Sequence, residues 1–155
     1  MAPLRFAVIG TGFWSNFQIP AWLEVGGVEL VAVSDQMIKK AKKVAQKFNV
    51  PKVYGDPEEL IKSERLDFVD IITEVDSHAP LVKLAAKYHL PVICQKPMAP
   101  DLVTAKEMVD ACRKAETPFF IHENWRWQTP IRAVKAALTE KQIGKPYRAQ
   151  IEWLT

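Results

Sequence analysis

The chain has 155 residues, 48% of them hydrophobic and 25% charged, which fits one full domain with a buried core and a short appendage. The formal net charge is only +3, and the lysines between residues 39 and 47 recur without interleaved aromatic residues, which argues against a nucleic-acid-binding protein. No apolar run approaches the roughly 18 residues of a membrane helix and no signal peptide is evident, so we do not expect a membrane-bound function.

The first predicted element is a strand that ends in a glycine-rich turn. The apolar run Arg5–Ile9 is followed by Gly10 and Gly12, and a segment compatible with a helix comes next. In such a strand–turn–helix unit the first glycine permits the sharp turn, and the second lets a pyrophosphate approach the backbone at the helix N-terminus. Ser15 stands where a third glycine is usual, and we interpret it as a small residue that is also a good N-cap. Alone, the two glycines fit an ordinary turn equally well.

The second predicted strand, Val28–Val33, ends at Ser34 and Asp35. An acidic residue about 20 residues after the glycines binds the adenosine ribose in dinucleotide folds. Asp35 could instead be the N-cap of the next helix, and the two roles are compatible. Strand, turn, helix, strand and acid in this order favour a dinucleotide site.

The rest of the chain alternates predicted helices and strands. Pro20 lies inside the first helix, Trp14–Val25, where we expect it to kink the helix or to delay the regular part until Ala21. Asp56 and Pro57 are typical of the N-cap and first position of a helix. Further helices are predicted at 37–48, 79–87 and 101–115, with strands at 52–54 (an edge strand), 68–72, 91–94 and 118–122. This pattern predicts an α/β fold with a doubly wound parallel sheet, which binds ligands at the carboxyl ends of its strands.

The turns after the strands therefore hold the candidate site residues. Besides the first two turns, they are Thr73–His78, Gln95–Pro97 and His122–Arg126. Each has a structural alternative: Ser77 could cap the next helix, His78 could be a polar residue at a helix start, and Lys96 could be an exposed loop lysine. The position of Lys96 directly after a buried strand favours a role in the site.

Taken together, these motifs resemble the N-terminal part of the glucose–fructose oxidoreductase, inositol dehydrogenase and rhizopine-catabolism (Gfo/Idh/MocA) family of NAD(P)-dependent oxidoreductases. The resemblance implies a Rossmann domain at 1–122, followed at 123–155 by the linker, helix and first strand of an incomplete substrate domain. The matching residues are Val8–Phe13, Asp35, Asp70–Thr73, His78, Lys96, Pro97, Asn124–Arg126 and Ile143–Pro146.

The resemblance also implies hydride transfer between a nicotinamide cofactor and a sugar or polyol hydroxyl, with Lys96 as the catalytic residue. We expect NAD rather than NADP, because Asp35 repels a 2′-phosphate and no arginine follows it. The family usually has glutamate where this chain has Gln95, which changes the local charge but retains hydrogen bonding. The implied cofactor-binding residues are Gly10, Thr11, Gly12, Phe13, Trp14, Asp35, Thr73, His78, Gln95, Lys96, Asn124 and Arg126.

The chain departs from the family in length. The proton-transferring histidine of the family and its nearby aspartate lie in the C-terminal domain, and His78, His89 and His122 do not occupy that motif. The segment Tyr147–Trp153 alternates apolar and polar residues as a half-buried strand does. A helix after Pro130, ended by Gly144, adds Ile131, Val134 and Leu138 on one apolar face. We therefore expect a homo-oligomer that forms through residues 147–154, with little activity at this length.

The chain contains two cysteines. Cys94 and Cys112 have neither C-x-x-C spacing nor a disulfide-rich context, so we expect reduced thiols in a cytoplasmic protein and no metal site.

One alternative function is a non-enzymatic dinucleotide-binding or oligomerisation module. Another is an S-adenosylmethionine-dependent methyltransferase, in which Lys96, Pro97, Thr73 and His78 would have no role.

Overall fold

The structure, a computed structural model, describes residues 2–152. It contains two compact units, of which the first ends at His122 and the second begins at Glu123. The first unit alternates strands and helices: β1 Leu4–Ile9, α1 Ser15–Val25, β2 Val28–Ser34, α2 Ile38–Phe48, β3 Lys52–Tyr54, α3 Pro57–Ser63, β4 Phe68–Ile71, α4 His78–Lys87, β5 Val92–Gln95, α5 Leu102–Lys114 and β6 Phe119–His122. No helix among residues 2–152 is long and apolar enough to cross a bilayer.

The six strands form one parallel sheet in the order β3-β2-β1-β4-β5-β6. The predicted doubly wound α/β fold is therefore confirmed, and so is the position of β3 at an edge. The central strands carry apolar side chains on both faces because helices cover both faces. In β1, Phe6 packs with Ile19 of α1 and Val44 of α2, whereas Ile9 packs with the cluster that contains Val82 of α4 and Met108 of α5.

Local sequence signals set several of these boundaries. Asp56 caps α3 by accepting a hydrogen bond from the Glu59 backbone N–H at 2.7 Å, with Pro57 at the first position, as predicted. Pro20 does not delay α1, which is helical from Ser15 to Val25. Pro20 is the sixth of the 11 residues of α1, and its missing N–H removes one hydrogen bond of the helix, to the Asn16 carbonyl. The expected N-cap role of Ser15 is also wrong, since Trp14 occupies that position.

The second unit contains one α-helix, α6 at Thr129–Thr139, among the residues described. The prediction that Gly144 ends this helix is wrong. The chain leaves the helix at Glu140 and turns at Lys141, which has a φ of 57°, and the Gln142 N–H bonds the Ala137 carbonyl oxygen at 2.9 Å.

The predicted strand Tyr147–Trp153 is absent from its described part, residues 147–152. A strand is stabilised by hydrogen bonds to a neighbouring strand, and residues 2–152 offer no partner to this segment. Tyr147 and Ile151 are 99% and 92% exposed. Trp153 and Leu154, which complete the predicted contact, lie outside the described residues.

Candidate functional site

The glycine-rich turn lies where the strand order reverses, between the neighbouring strands β1 and β4. The Ile72 backbone N–H donates to the Ile9 carbonyl oxygen at 2.9 Å and so draws the two strand ends together. Gly10 has a φ of 103°, and a Cβ on it would lie 2.9 Å from the Ile72 carbonyl carbon and 2.8 Å from Thr73 Cγ2. Only glycine fits there, because both its conformation and its surroundings exclude a side chain.

The surroundings of Gly12 are open, unlike those of Gly10. A Cβ on Gly12 would have no atom of residues 2–152 within 4 Å, so this part of the turn faces open space just before the N-terminus of α1. Ser15, fully buried in the position of the third glycine, donates its hydroxyl proton to the Gly12 carbonyl oxygen at 2.7 Å. The turn is closed by its own serine and leaves an uncovered backbone face beside a positive helix end, which fits a pyrophosphate.

Thr11 joins the glycine turn to the acid at the end of β2. Its backbone N–H and its hydroxyl donate to Asp35 Oδ2 at 2.9 and 2.7 Å, while Oδ1 accepts from the Met37 N–H at 2.8 Å. Burial alone would raise the pKa of Asp35, but these hydrogen bonds and the charge of Lys40 outweigh burial and lower it. Asp35 is therefore a fixed carboxylate with lone pairs left for a further donor. The predicted N-cap alternative is wrong, since Met37 stands at that position without a side-chain cap.

A groove with basic side chains lies beside this acid, between α1 and α2. It has a volume of about 210 Å³. Within it, Lys47 Nζ donates to Asn16 Oδ1 at 2.8 Å. Its lining is Thr11, Asn16, Lys40, Lys43, Val44 and Lys47. A ligand that reaches past Asp35 would therefore meet several ammonium groups, a feature that the sequence analysis did not identify.

Three exposed aromatic side chains follow the glycine turn at the start of α1. Phe13, Trp14 and Phe17 are 73%, 42% and 54% exposed, and their rings contact one another with centroids 5.1–5.8 Å apart. Lys96 Nζ lies 5.6 Å from the Trp14 ring centroid, within the range of a cation–π contact. The fold thus brings the predicted catalytic lysine to the start of α1, although the two are 82 positions apart in the sequence.

The turn after β4 is held together internally. The Ser77 hydroxyl lies 2.7 Å from both Thr73 Oγ1 and the Glu74 carbonyl oxygen, so it stabilises its own turn and makes no side-chain cap to α4. His78 is 1% exposed, with Nε2 3.0 Å from the Thr73 carbonyl oxygen and Nδ1 3.1 Å from the Pro97 carbonyl oxygen. His78 therefore lies between the turn after β4 and the turn after β5, and a neutral ring donates its one N–H to one of these two carbonyl oxygens.

A buried polar network, which sequence reasoning missed, lies between α1 and the sheet. Asp70 Oδ2 accepts from Gln18 Nε2 at 2.6 Å and from Trp22 Nε1 at 2.7 Å, and Oδ1 has no partner in the structure. Burial is the main reason that the pKa of Asp70 is raised, against the lowering effect of these bonds and of His122. Gln95 also belongs to the network, since its Nε2 donates to Gln18 Oε1 at 3.0 Å. The sequence signal that could have indicated this network was Asp70, an acidic residue within the apolar run of a central strand.

Asn124 and Arg126 belong to the second unit. There Trp125–Trp127 forms a short 3₁₀ helix, and the Arg126 guanidinium lies 5.0 Å from the Trp127 ring centroid. Their predicted contact with a cofactor stays a prediction. No group of three or more His, Cys, Asp or Glu residues that could hold a metal ion occurs between residues 2 and 152.

Comparison with known proteins identifies relatives of the chain. Residues 4–123 match the family model Gfo/Idh/MocA, described as an oxidoreductase family with an NAD-binding Rossmann fold. A D-apiose dehydrogenase from Rhizobium rhizogenes is 46% identical over 147 residues, which are 95% of this chain and 43% of that protein. A myo-inositol 2-dehydrogenase from Thermotoga maritima is 29% identical over 148 residues, 96% of this chain and 44% of that protein.

Solved structures give the same result. A crystal structure of an oxidoreductase from Agrobacterium radiobacter, in complex with NAD+, L-tartaric acid and magnesium, superposes with a TM-score of 0.90 at 46% identity. The match covers 93% of this chain and 42% of that one. The chain thus spans less than half the length of these relatives.

Proposed function

Because the chain belongs to the Gfo/Idh/MocA family of oxidoreductases, we propose that it is the NAD-binding domain of a dehydrogenase that acts on a sugar or polyol hydroxyl. The observation that supports this most strongly is the pairing of the glycine turn with Asp35, which Thr11 holds beside it through two hydrogen bonds. An open backbone face at a helix N-terminus suits the pyrophosphate, and the fixed carboxylate suits the ribose hydroxyls.

The chemistry divides between the cofactor and Lys96. NAD+ bound in this position supplies the acceptor for the hydride that leaves the hydroxyl-bearing carbon. The Lys96 ammonium stabilises developing negative charge on the substrate oxygen, or relays the hydroxyl proton by releasing one of its own protons to solvent as it accepts that proton. The relatives named for D-apiose and myo-inositol support a sugar or polyol as the substrate class. Since the chain covers 43% of the first of these, we propose that the chain alone has little turnover.

Cofactor choice gives the first prediction. We expect the chain to bind NADH one to three decades more tightly than NADPH, since a 2′-phosphate beside Asp35 is disfavoured by roughly 1–4 kcal/mol. In Asp35→Ala this preference should disappear, because the repulsion is lost while Lys40 and Lys43 remain in the adjacent groove. Calorimetric titration with NADH, NADPH and S-adenosylmethionine measures all three affinities.

Two controls make the titration decisive. The Asp35→Ala variant should gain affinity for NADPH. Adding Lys40→Gln and Lys43→Gln to that variant should remove the gained affinity and leave the affinity for NADH nearly unchanged. Equal affinities of the original chain for NADH and NADPH would contradict the assignment of Asp35. Binding of S-adenosylmethionine in place of both dinucleotides would contradict the proposed function.

We also propose that the chain forms a homo-oligomer through residues 147–154, supported by the nearly complete exposure of Tyr147 and Ile151. Each such side chain left in water forgoes about 1.5–3 kcal/mol of burial, which a second copy could recover. Sedimentation over a concentration series should show a dimer or larger species, and Ile151→Lys with Trp153→Lys should shift it towards monomer. Gln150→Lys with Glu152→Gln changes the net charge by the same +2 at the polar positions of this segment and should not. A monomer at high micromolar concentration would count against this contact.

A cytoplasmic location is proposed from the thiols. Cys94 and Cys112 are both free and buried, and burial is the main cause that raises the pKa of the Cys94 thiol to about 12. Unpaired, unreactive thiols of this kind are typical of proteins in a reducing compartment.

A further inference from the structure

A directed chain of hydrogen bonds leads from a buried acid to the backbone of Lys96. Asp70 Oδ2 accepts from Gln18 Nε2 at 2.6 Å, Gln18 Oε1 accepts from Gln95 Nε2 at 3.0 Å, and Gln95 Oε1 accepts from the Lys96 backbone N–H at 2.8 Å. Asp70 is fully buried, and both glutamines are 5% exposed. Water is therefore excluded from the links of the chain.

The direction of this chain is set at its acidic end. The Trp22 indole N–H can only donate, and it donates to the same Asp70 Oδ2 at 2.7 Å. With Asp70 ionised, or with its proton on Oδ1, that oxygen accepts from both neighbours. Gln18 must then turn its NH₂ towards Asp70 and its carbonyl oxygen towards Gln95. Gln95 must in turn donate to Gln18, which leaves its own carbonyl oxygen for the Lys96 N–H.

The same argument accounts for an amide at position 95. An ionised glutamate there could accept from the Lys96 N–H but could not donate to Gln18 Oε1. Gln18 could not reverse to compensate, because its carbonyl oxygen would then face Asp70 Oδ2. On the other side of the turn, the Pro97 carbonyl oxygen lies 3.1 Å from His78 Nδ1. The hydrogen bond from the Lys96 N–H to Gln95 Oε1 is thus the link that ties the lysine backbone to the network.

We propose that Asp70 is a positioning residue for Lys96, because it orients the Gln18 and Gln95 amides and so fixes the backbone from which the lysine side chain projects. The proposal rests on the catalytic role given to Lys96 under the proposed function. Its structural part, the effect of Asp70 on the Lys96 backbone, is measurable without any cofactor or substrate.

Two substitutions of Asp70 distinguish the loss of its acceptor oxygen from the loss of the space that its side chain fills. Leucine fills similar space but removes the acceptor for Gln18 and Trp22. Asparagine keeps an acceptor oxygen at that point and carries its NH₂ where Oδ1 has no partner. Amide hydrogen exchange of the 155-residue chain, read residue by residue by NMR, should show the Lys96 N–H exchanging roughly 3- to 10-fold faster in Asp70→Leu, the scale of one lost hydrogen bond. In Asp70→Asn, exchange at Lys96 should stay near that of the original chain.

The controls distinguish a local change from general loss of stability. Val82→Ala removes buried methyl groups from the cluster on the other face of the sheet, so it should speed exchange broadly without singling out Lys96. If Asp70→Leu does not fold, Gln18→Met cuts the same chain in the middle and should also speed exchange at Lys96. Unchanged exchange at Lys96 in the variants that fold, or equal acceleration in Asp70→Asn and Asp70→Leu, would overturn the proposal.

Turnover measurements distinguish a failure of this proposal from a failure of the proposed function. In a form of the protein that carries a complete second domain, Asp70→Leu should lower kcat by roughly tenfold or more, with KM for the cofactor little changed. The loss should be smaller in Asp70→Asn. Normal kcat in Asp70→Leu, while Lys96→Ala is inactive, would overturn the positioning role alone. Normal turnover in Lys96→Ala would instead contradict the function on which it rests.

Discussion

Replacing Lys96 with alanine should lower turnover by roughly 100-fold or more in a form of the protein that carries a complete second domain, the usual scale for a proton-transfer group. The affinity for NADH should change little, because we assign dinucleotide binding to the glycine turn and Asp35, elsewhere along the sheet edge. Lys96 Nζ already lies close to the start of α1, 5.6 Å from the Trp14 ring centroid. Steady-state kinetics for kcat, combined with calorimetric NADH titration, checks both parts.

A matched lysine serves as the control. Lys83 on α4 is 43% exposed in its side chain and pairs with Glu107 on α5 at 2.7 Å, so Lys83→Ala removes the same charge at a surface ion pair. Turnover of Lys83→Ala should match that of the original protein. Normal turnover in Lys96→Ala would show that Lys96 does not serve hydride transfer. Loss of NADH binding in that variant would show that it binds the dinucleotide instead.

The substitution Gly10→Ala should destabilise the fold and abolish cofactor binding together. A φ of 103° is strained for alanine, and its Cβ would lie 2.9 Å from the Ile72 carbonyl carbon on the adjoining strand end. Strain and overpacking each contribute on the order of 1–3 kcal/mol. The thermal midpoint should therefore fall by roughly 5–20 °C, measurable by calorimetry or circular dichroism.

Gly12→Ala is the contrasting variant. In the described part of the chain, no atom lies within 4 Å of a Cβ placed there, so its effect on stability should stay within roughly 0.5 kcal/mol. NADH affinity should nevertheless fall, because the methyl group would occupy the face that we assign to the pyrophosphate. Unaltered NADH binding in Gly12→Ala would place the pyrophosphate elsewhere. Unaltered stability in Gly10→Ala would mean that the strand ends can separate without loss.

The sequence by itself determined the fold class and predicted which sheet edge holds the candidate site residues. Alternating apolar strands and amphipathic helices predicted the six-stranded parallel sheet, and the Asp56-Pro57 pair predicted the start of α3. These features depend on residues within one turn or one strand of each other, so local physical chemistry suffices to predict them. Gly10, Asp35 and Lys96 could be assigned to one sheet edge because the carboxyl ends of parallel strands point the same way.

Local patterns failed where the outcome depended on a partner. The alternating pattern after Tyr147 predicted a strand, but residues 147–152 have none, since a strand needs a neighbour for its hydrogen bonds. The N-cap expected at Ser15 failed for a local reason instead, because the helix begins one residue earlier and the hydroxyl closes the glycine turn.

Only the tertiary structure decided which polar groups meet. Thr11 bonds Asp35 across 24 positions, Gln18 bonds Asp70 across 52, and Gln95 bonds Gln18 across 77. Spacing in the sequence carries no signal for such pairs, because chain folding brings them together and burial then forces each donor to find an acceptor. The direction of the two glutamine amides beside Lys96 follows from that requirement, and a list of residue types could not provide it.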